Sequence, residues 1–312
     1  MDTPAPDTVI AVAQAAQALK SGGLVILPTE TVYGLAADAA NPRAVAKVYE
    51  AKGRPSFNPL IAHVADLAAA RAVARFDDRA ERLAQAFWPG PLTLVLPIAD
   101  EMAVCDLARS GLDTVAVRAP AHPTAQALLR AFGGPLVAPS ANRSGRPSPT
   151  TFADAVEETG AAAACGLDGG PCAIGLESTV VALLDRPRLL RPGSVTRAQI
   201  EALIGPLSEA DADARRSPGR LTRHYAPNLP LRLNAEERLS GEVWLGFGPR
   251  GGAGLNLSPE GDLAEAAANL FAYLRAADRS TGATGISVAP IPDTGLGEAI
   301  NDRLRRAAGF VG

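Results

Sequence analysis

Residues 24–64 read LVILPTETVYGLAADAANPRAVAKVYEAKGRPSFNPLIAHV and predict strand, loop, helix, loop, strand. The unbroken apolar run at 24–27, closed by Pro28, suits a short strand covered on both faces. It empties into Thr29, Glu30, Thr31 and Tyr33. Hydroxyls and a carboxylate therefore stand just beyond a strand end, where open α/β sheets place ligands; a solvated turn is the plainer reading of the same residues. Asn41 offers an N-cap, Pro42 suits the first helical turn, Val45, Val48 and Tyr49 recur at helical spacing, and Gly53 supplies the stop. Lys52 falls in the last turn, followed by Arg54 and Asn58 between Pro55 and Pro59. The helix macrodipole favours a cation there whatever the function. Yet the chain has only three lysines, Lys20, Lys47 and Lys52, among thirty basic residues, and two of them lie in this helix.

Working outward, residues 9–20 form an amphipathic helix ended by Gly22 and Gly23, and residues 60–64 form the next strand. Asp66 and Asp78 cap two helices, the second with Glu81 three residues on in a capping-box arrangement, and Pro89-Gly90-Pro91 stops it. Strands follow at 92–97 and 114–118, then a helix at 124–132 and a buried strand at 136–138. The loop after it, SANRSGRPS at 140–148, supports two readings. Its amides and hydroxyls could wrap phosphate or ribose, or its Ser, Pro and Gly could simply make a surface loop. A helix at 151–158, strands around Cys165 and at 179–184 and 189–191, and a helix at 197–204 close this part at Gly205. Residues 206–223 lack hydrophobic periodicity and read as a linker. Beyond it, strands at 229–233, 243–247 and 286–289 alternate with helices at 263–274 and 298–308, which predicts a small α/β domain. The Gly-rich patch at 246–254 matches neither nucleotide-loop pattern and reads as a plain loop.

The chain has 312 residues, 47% of them hydrophobic, enough for two domains. No apolar run reaches membrane-spanning length and MDTPAPDT is not a secretory signal, so a cytoplasmic protein is expected. Cys105, Cys165 and Cys172 form no C-x-x-C pair, which indicates neither a disulfide framework nor a zinc site. Up to Gly205 there are 18 basic and 20 acidic residues, and 12 and 13 beyond it. Neither part has the positive excess of a general nucleic-acid binder. On residue type alone, His63 is a hydrogen-bonded core histidine, Arg118 and Arg191 are strand-end charges, and His122 is structural.

Ten short motifs change that weighting: PTETVYGL (28–35), KGRP (52–55), Asn-Pro-Leu (58–60), His63, PGPLT (89–93), LDTVAVRAPAHP (112–123), APSAN (138–142), ESTVV (177–181), LLRPG (189–193) and HYAP (224–227). In this order they resemble the YrdC-type domain of threonylcarbamoyl-adenylate synthases in its two-domain form, over essentially the whole chain. The resemblance implies a twisted mixed α/β sheet with flanking helices over 1–205, a linker or lid over 206–227, and a smaller Rossmann-like α/β domain over 228–312. It implies a nucleotidyltransferase that joins L-threonine, bicarbonate or carbon dioxide, and ATP into threonylcarbamoyl-AMP and pyrophosphate. That product serves tRNA threonylcarbamoyl-transferase proteins downstream, with at most a weak RNA contact and no membrane. Carried over by motif, Thr31, His63, Arg118, Ala138 and Ser178 hold threonine. Arg54, Asn58, Thr114, Ser140, Ser148, Arg191, His224 and Tyr225 hold the nucleotide, and Lys52 and Arg54 serve the phosphates catalytically. Magnesium accompanies ATP, and no protein ligand for it is named. The linker departs from the family pattern at Arg220, where Met is usual. The competing expectation is a non-catalytic RNA-binding or ribosome-maturation module, which the near-neutral charge disfavours.

Overall fold

The computed structural model describes residues 6–209, 224–249 and 254–309. The apolar run becomes β1 (Val25–Leu27), but the chain does not go on through a free loop to a helix. It turns back as β2 (Gly34–Asp38), antiparallel to β1 with Ile26 opposite Leu35. Gly-Leu-Ala-Ala-Asp has neither the β-branched and aromatic residues nor the alternation that announce a strand, so the sequence reading missed it. The Thr29 hydroxyl makes the reversal, donating to Val32 O (2.6 Å) and accepting from the amides of Thr31 and Val32 (both 3.2 Å). Gly34 lets the hairpin pass close to the strand beside it: a Cβ there would stand 3.1 Å from Ala138 Cβ, so Ala138 would have to give way by a few tenths of an ångström. The helix α2 (Pro42–Lys52), counting α1 (Pro6–Lys20) before it, has the expected ends. Asn41 caps the Arg43 and Ala44 amides, and Gly53 closes it at φ 56°.

β3 (Ile61–His63), α3 (Leu67–Val73) and α4 (Asp78–Phe87) come next. Asp77, not Asp78, caps α4, and Glu81 pairs with Arg71 at 2.7 Å instead of completing a capping box. The chain continues through β4 (Leu92–Pro97), the short α5 (Asp106–Arg109), β5 (Thr114–Arg118), α6 (Pro123–Phe132), β6 (Leu136–Val137) and α7 (Phe152–Thr159). β7 (Cys165–Gly166), β8 (Thr179–Leu183), β9 (Pro187–Arg191) and α8 (Arg197–Ile204) complete it. β10 (Ser208–Glu209) then pairs with β9, so the segment read as linker from 206 begins inside the sheet. Residues 210–223, Arg220 among them, lie outside the described residues.

These strands form one mixed sheet in the order β10-β9-β8-β4-β5-β3-β6-β2-β1-β7. Strand alternation sorts its centre into two unlike faces. Ala62, Leu94, Leu96, Val115, Val117, Val181 and Leu183 turn to helices α2, α3, α4, α5 and α8 and form the main core. Ile61, Val95, Ala116, Val180, Ala182 and Leu190 turn the other way and form a separate small cluster. That second face carries the site. A bulge in β9 sharpens it: Arg191 lies opposite Val180 but Leu189 opposite Val181, so the extra residue, Leu190, and Arg191 both face this side.

The remaining chain builds a parallel sheet in the order β11-β14-β12-β13, from β11 (Leu231–Arg232), β12 (Glu242–Gly246), β13 (Leu255–Asn256) and β14 (Gly285–Val288). α9 (Leu263–Asp278) and α10 (Leu296–Ala307) pack with it. Their core also takes in Val32, Leu176 and Tyr225, so the two sheets share buried contacts. α9 runs so close to Gly175 that a Cβ there would be 2.5 Å from Ala268 Cα.

Candidate active site

The pairing order sets one end of the central strands in a row. β3 and β5 are parallel with His63 beside Arg118, β4 runs against β5, and β8 runs with β4, bringing Ser178 to the same edge. β9 returns against β8 and ends there with Arg191. Thr93 and Ser178 hydroxyls meet at 2.7 Å across that row. Above it opens a cleft of about 500 Å³, counting its mouth. It is lined by ten of the predicted residues: Thr31, Arg54, His63, Arg118, Ala138, Ser140, Ser178, Arg191, His224 and Tyr225.

Arg118 is buried and held on three sides. Its Nε donates to Gly90 O (3.2 Å), Nη1 to Thr31 Oγ1 (2.9 Å) and Nη2 to Glu30 Oε1 (2.5 Å). Five N–H groups less three leave two unspent, one on each Nη. Burial raises the Glu30 pKa, but the Arg118 charge and hydrogen bonds prevail and hold it below the ordinary value. His63 Nδ1 lies 3.1 Å from Ile61 O. A carbonyl only accepts, so Nδ1 carries the proton and Nε2 is left as an acceptor. Burial, with the Arg118 charge beside it, pushes His63 down to about 3, so the ring is neutral at ordinary pH.

At the other end, Arg54 donates to Asn58 O (3.4 Å) and Pro59 O (3.2 Å), and Arg191 to Ser178 O (3.0 Å) and Ser178 Oγ (3.1 Å). Both spend hydrogen bonds on carbonyls and a hydroxyl, not on carboxylates. Burial lowers both, Arg54 to about 10. Glu177, which the sequence reading quoted within ESTVV but gave no role, also lines the cleft. It accepts from Ser148 Oγ and from Arg303 Nε (2.9 Å). Burial would raise its pKa, but Arg303, Arg191 and Ser148 together hold it at about 2. An acidic residue next to a strand-opening serine was the available signal.

Four predicted residues stand behind the lining. Lys52 is buried under the 140–142 loop, its ammonium donating to Ser140 O and to Asn142 O (2.5 Å). Burial, then the Arg54 charge, lowers its pKa well below the ordinary value. Asn58 is buried beneath Arg54, and Ser148 is turned to Glu177. Thr114 opens β5, roughly 13 Å from Arg118 at ~3.3 Å per residue but on the same face. Besides Glu177, the lining residues that the sequence reading left without a role are Val32, Pro59, Leu60, Ile61 and Pro139, and Glu30 joins them through its hydrogen bond with Arg118. Tyr33 is core, its hydroxyl on Gly170 O (2.7 Å), and His122 is structural, as expected, accepting the Thr124 amide as an N-cap.

Among the described residues no three His, Cys, Asp or Glu are grouped to hold a metal, and none of the helices is long and apolar enough to cross a membrane.

Known proteins share this fold. Residues 17–193 match the Sua5/YciO/YrdC family profile, described as "Telomere recombination". Residues 195–309 match the profile of the threonylcarbamoyl-AMP synthase C-terminal domain. The threonylcarbamoyl-AMP synthase of Bacillus subtilis is 42% identical over 96% of this chain and 93% of its own. That of Pyrococcus abyssi is 41% identical over 95% and 93%. The crystal structure of Pyrococcus abyssi Sua5 complexed with L-threonine superposes with a TM-score of 0.89 at 38% identity, covering 97% of this chain and 95% of that one. The chain belongs to the threonylcarbamoyl-AMP synthase family.

Proposed function

We propose that the chain catalyses nucleotidyl transfer from ATP to threonine carbamate, giving threonylcarbamoyl-AMP and pyrophosphate. What supports the reading is the split chemistry of one cleft. Arg118 has one further N–H on each Nη to offer a carboxylate, while Arg54 donates to carbonyls and Arg191 to Ser178, which leaves guanidinium charge for phosphate at the other end. Val32, Leu60 and Ile61 add apolar lining to the same cleft, suited to an aromatic base.

In this reading the threonine carboxylate lies on Arg118 beside Thr31 and Ser178, its methyl group lies against Ala138, and His63 Nε2 accepts from its hydroxyl or amine. Bicarbonate or carbon dioxide converts the amine to a carbamate anion. A carbamate oxygen then attacks the α-phosphorus, the new P–O bond replaces the bond to the β-phosphate bridge, and pyrophosphate leaves. No strong base is needed, because the nucleophile is already an anion; alignment and neutralised phosphate charge suffice. Arg54 and Arg191 supply that charge. Lys52 spends two N–H groups fixing the 140–142 loop and keeps a third for a phosphate oxygen. Ser140, Ser148 and Asn58 order the surrounding loops, and Thr114 meets the far end of an extended nucleotide on the same sheet face. Magnesium would arrive with ATP, held by its phosphates and water, because Glu177 already has one oxygen on Ser148 and the other on Arg303. We assign the sheet through β10 to the catalytic domain, and residues 224–227, which bring His224 and Tyr225 to the cleft, to the connection between the two sheet units. The product passes to tRNA threonylcarbamoyl-transferase proteins in the cytoplasm.

The test is pyrophosphate release from ATP with threonine and bicarbonate added singly and together. Release only with both supports the reading. RNA binding without any turnover would replace it with the non-catalytic alternative.

A further inference from the structure

Arg303, on the face of α10 turned away from solvent, is wholly buried and belongs to no part of the chemistry above. Its Nε donates to Glu177 Oε2 (2.9 Å), its Nη1 to Asp302 Oδ2 (2.6 Å), and its guanidinium carbon lies 5.3 Å from the centre of the Tyr225 ring. Tyr225 is wedged on its other contacts by Phe271 of α9 (5.3 Å) and His224 (4.0 Å). It holds a left-handed backbone, φ 64°, that a bulky residue keeps only when its surroundings enforce it. Glu177, in turn, carries Ser148 at the end of the 140–148 loop and directly precedes Ser178. One side chain from the second sheet unit thus touches two separate walls of the cleft.

We propose that Arg303 is a positioning residue for the proposed reaction: by neutralising Glu177 and seating Tyr225 together, it assembles the nucleotide end of the cleft only while α10 is docked. Its role rests on the nucleotide reading above, and it gives the second unit a part in catalysis without a contact to substrate. The charged and titratable groups facing Glu177 are Arg303 and Asp302 from α10, Arg191 from β9, Lys52 from α2, and His224 and Tyr225. Only Arg303 bonds Glu177 and stacks on Tyr225 at once. Without Arg303, Glu177 keeps Ser148 and the more distant Arg191 charge, Ser148 loses its fixed acceptor geometry, and Tyr225 loses the cation over its ring.

Wild type, Arg303→Lys, Arg303→Met and the double variant Arg303→Met/Glu177→Gln separate this from a purely structural contact. The double variant leaves no unpaired buried carboxylate, so it reports even where Arg303→Met folds poorly. Hydrogen exchange over 224–229, which includes the Ala226 amide bonded to Gly145 O, should speed up by about tenfold or more in both Met variants, with β4 and β5 unchanged. The KM for ATP should rise about tenfold or more while the KM for threonine stays within about threefold, and Lys should restore part of the ATP term. Exchange and ATP KM within about twofold of wild type in the double variant would overturn the proposal. So would faster exchange spread evenly over α9 and α10 with both KM values unmoved. Should wild type show no threonine-dependent pyrophosphate release, the reaction reading fails by itself, and the exchange at 224–229 still decides whether Arg303 holds Tyr225 in place.

Discussion

Arg118→Ala should remove threonine binding and destabilise the fold together, and the two effects come apart by pH and by a second substitution. Arg118 has a side chain 4% exposed and Glu30 one 12% exposed, and they meet at 2.5 Å. Removing one partner of a buried pair costs about 3–5 kcal/mol. Here the lower end applies, because Glu30 Oε2 keeps the Ala121 amide at 3.0 Å and some contact with water. The sign follows from the depressed Glu30 pKa: the pair stabilises the fold above the unfolded value, near 4.5, and that stabilisation is lost as pH falls through the folded value. In the variant Glu30 is buried without its cation, so it binds a proton more readily. The deficit, measured by urea unfolding, should be full at neutral pH and shrink as pH falls through about 4.5. Arg118→Ala/Glu30→Gln should regain most of the stability, since glutamine can still accept the Ala121 amide. It should not regain threonine affinity. A hydrogen bond to a charged group is worth about 1.5–3 kcal/mol, so the threonine Kd should rise by roughly ten- to a hundredfold or more. A calorimetric Kd within threefold of wild type in the stable double variant would refute the carboxylate clamp.

Arg54→Ala should weaken ATP binding by about tenfold or more with threonine affinity kept, because its guanidinium has no carboxylate partner to strand; unchanged titration of both ligands would reduce it to a helix-end charge. Lys52→Met should also raise the KM for ATP, by releasing the Ser140 and Asn142 carbonyls, and partial proteolysis should find the 140–148 loop more open; an unaltered KM would sever that loop from the nucleotide. His63 and His224, both lowered to about 3 by burial first, stay neutral when folded but protonate near 6.5 when unfolded. Stability should therefore be unaffected by them above 6.5 and should fall as pH drops from there toward 3, with close to two protons taken up on unfolding; NMR titration of either ring near neutrality would contradict this. Gly34→Ala should cost on the order of 1 kcal/mol and raise the KM for threonine, as its Cβ must push Ala138 aside; an unaltered melting point and KM would show that the hairpin has room.

Elements with strong local signals were legible in the sequence: α2 with its Asn41 cap and Gly53 stop, β4, β5 and α8 sit where capping residues and apolar runs put them. β2 was not, because an alanine-rich strand buried on both faces shows no period. The same limit applied in the site. Residues inside motifs, such as Arg118 and Arg191, could be named, yet that Arg191 and Leu190 share a face depends on a bulge that has no sequence mark. Glu30 and Arg303 escaped for a different reason. Each acts on a partner 88 and 126 positions away, Arg118 and Glu177, and only the pairing of distant strands and helices brings those charges together.

The charges buried between the two sheet units explain why the second one need not touch substrate to matter. Glu158, with a side chain fully buried at the end of α7, accepts from the Arg143 amide (3.0 Å) and from Arg275 of α9 (3.0 Å), and forms an ion pair with Arg146 at 2.8 Å. Glu177 likewise takes Arg303 from α10. In both cases the carboxylate is supplied by the unit that carries the cleft, and a wholly or almost wholly buried arginine by the other. A buried carboxylate left without its cation costs several kcal/mol, far more than a surface pair returns. Undocking the second unit therefore takes a buried cation from each of two carboxylates that hold the 140–148 segment, leaving Glu158 with Arg143 and Arg146 and Glu177, on the cleft wall, with Ser148 and the Arg191 charge. Docking and order in that segment are a single equilibrium, which ties the fold of the last helices to the geometry at Ser140, Ser148 and Ser178.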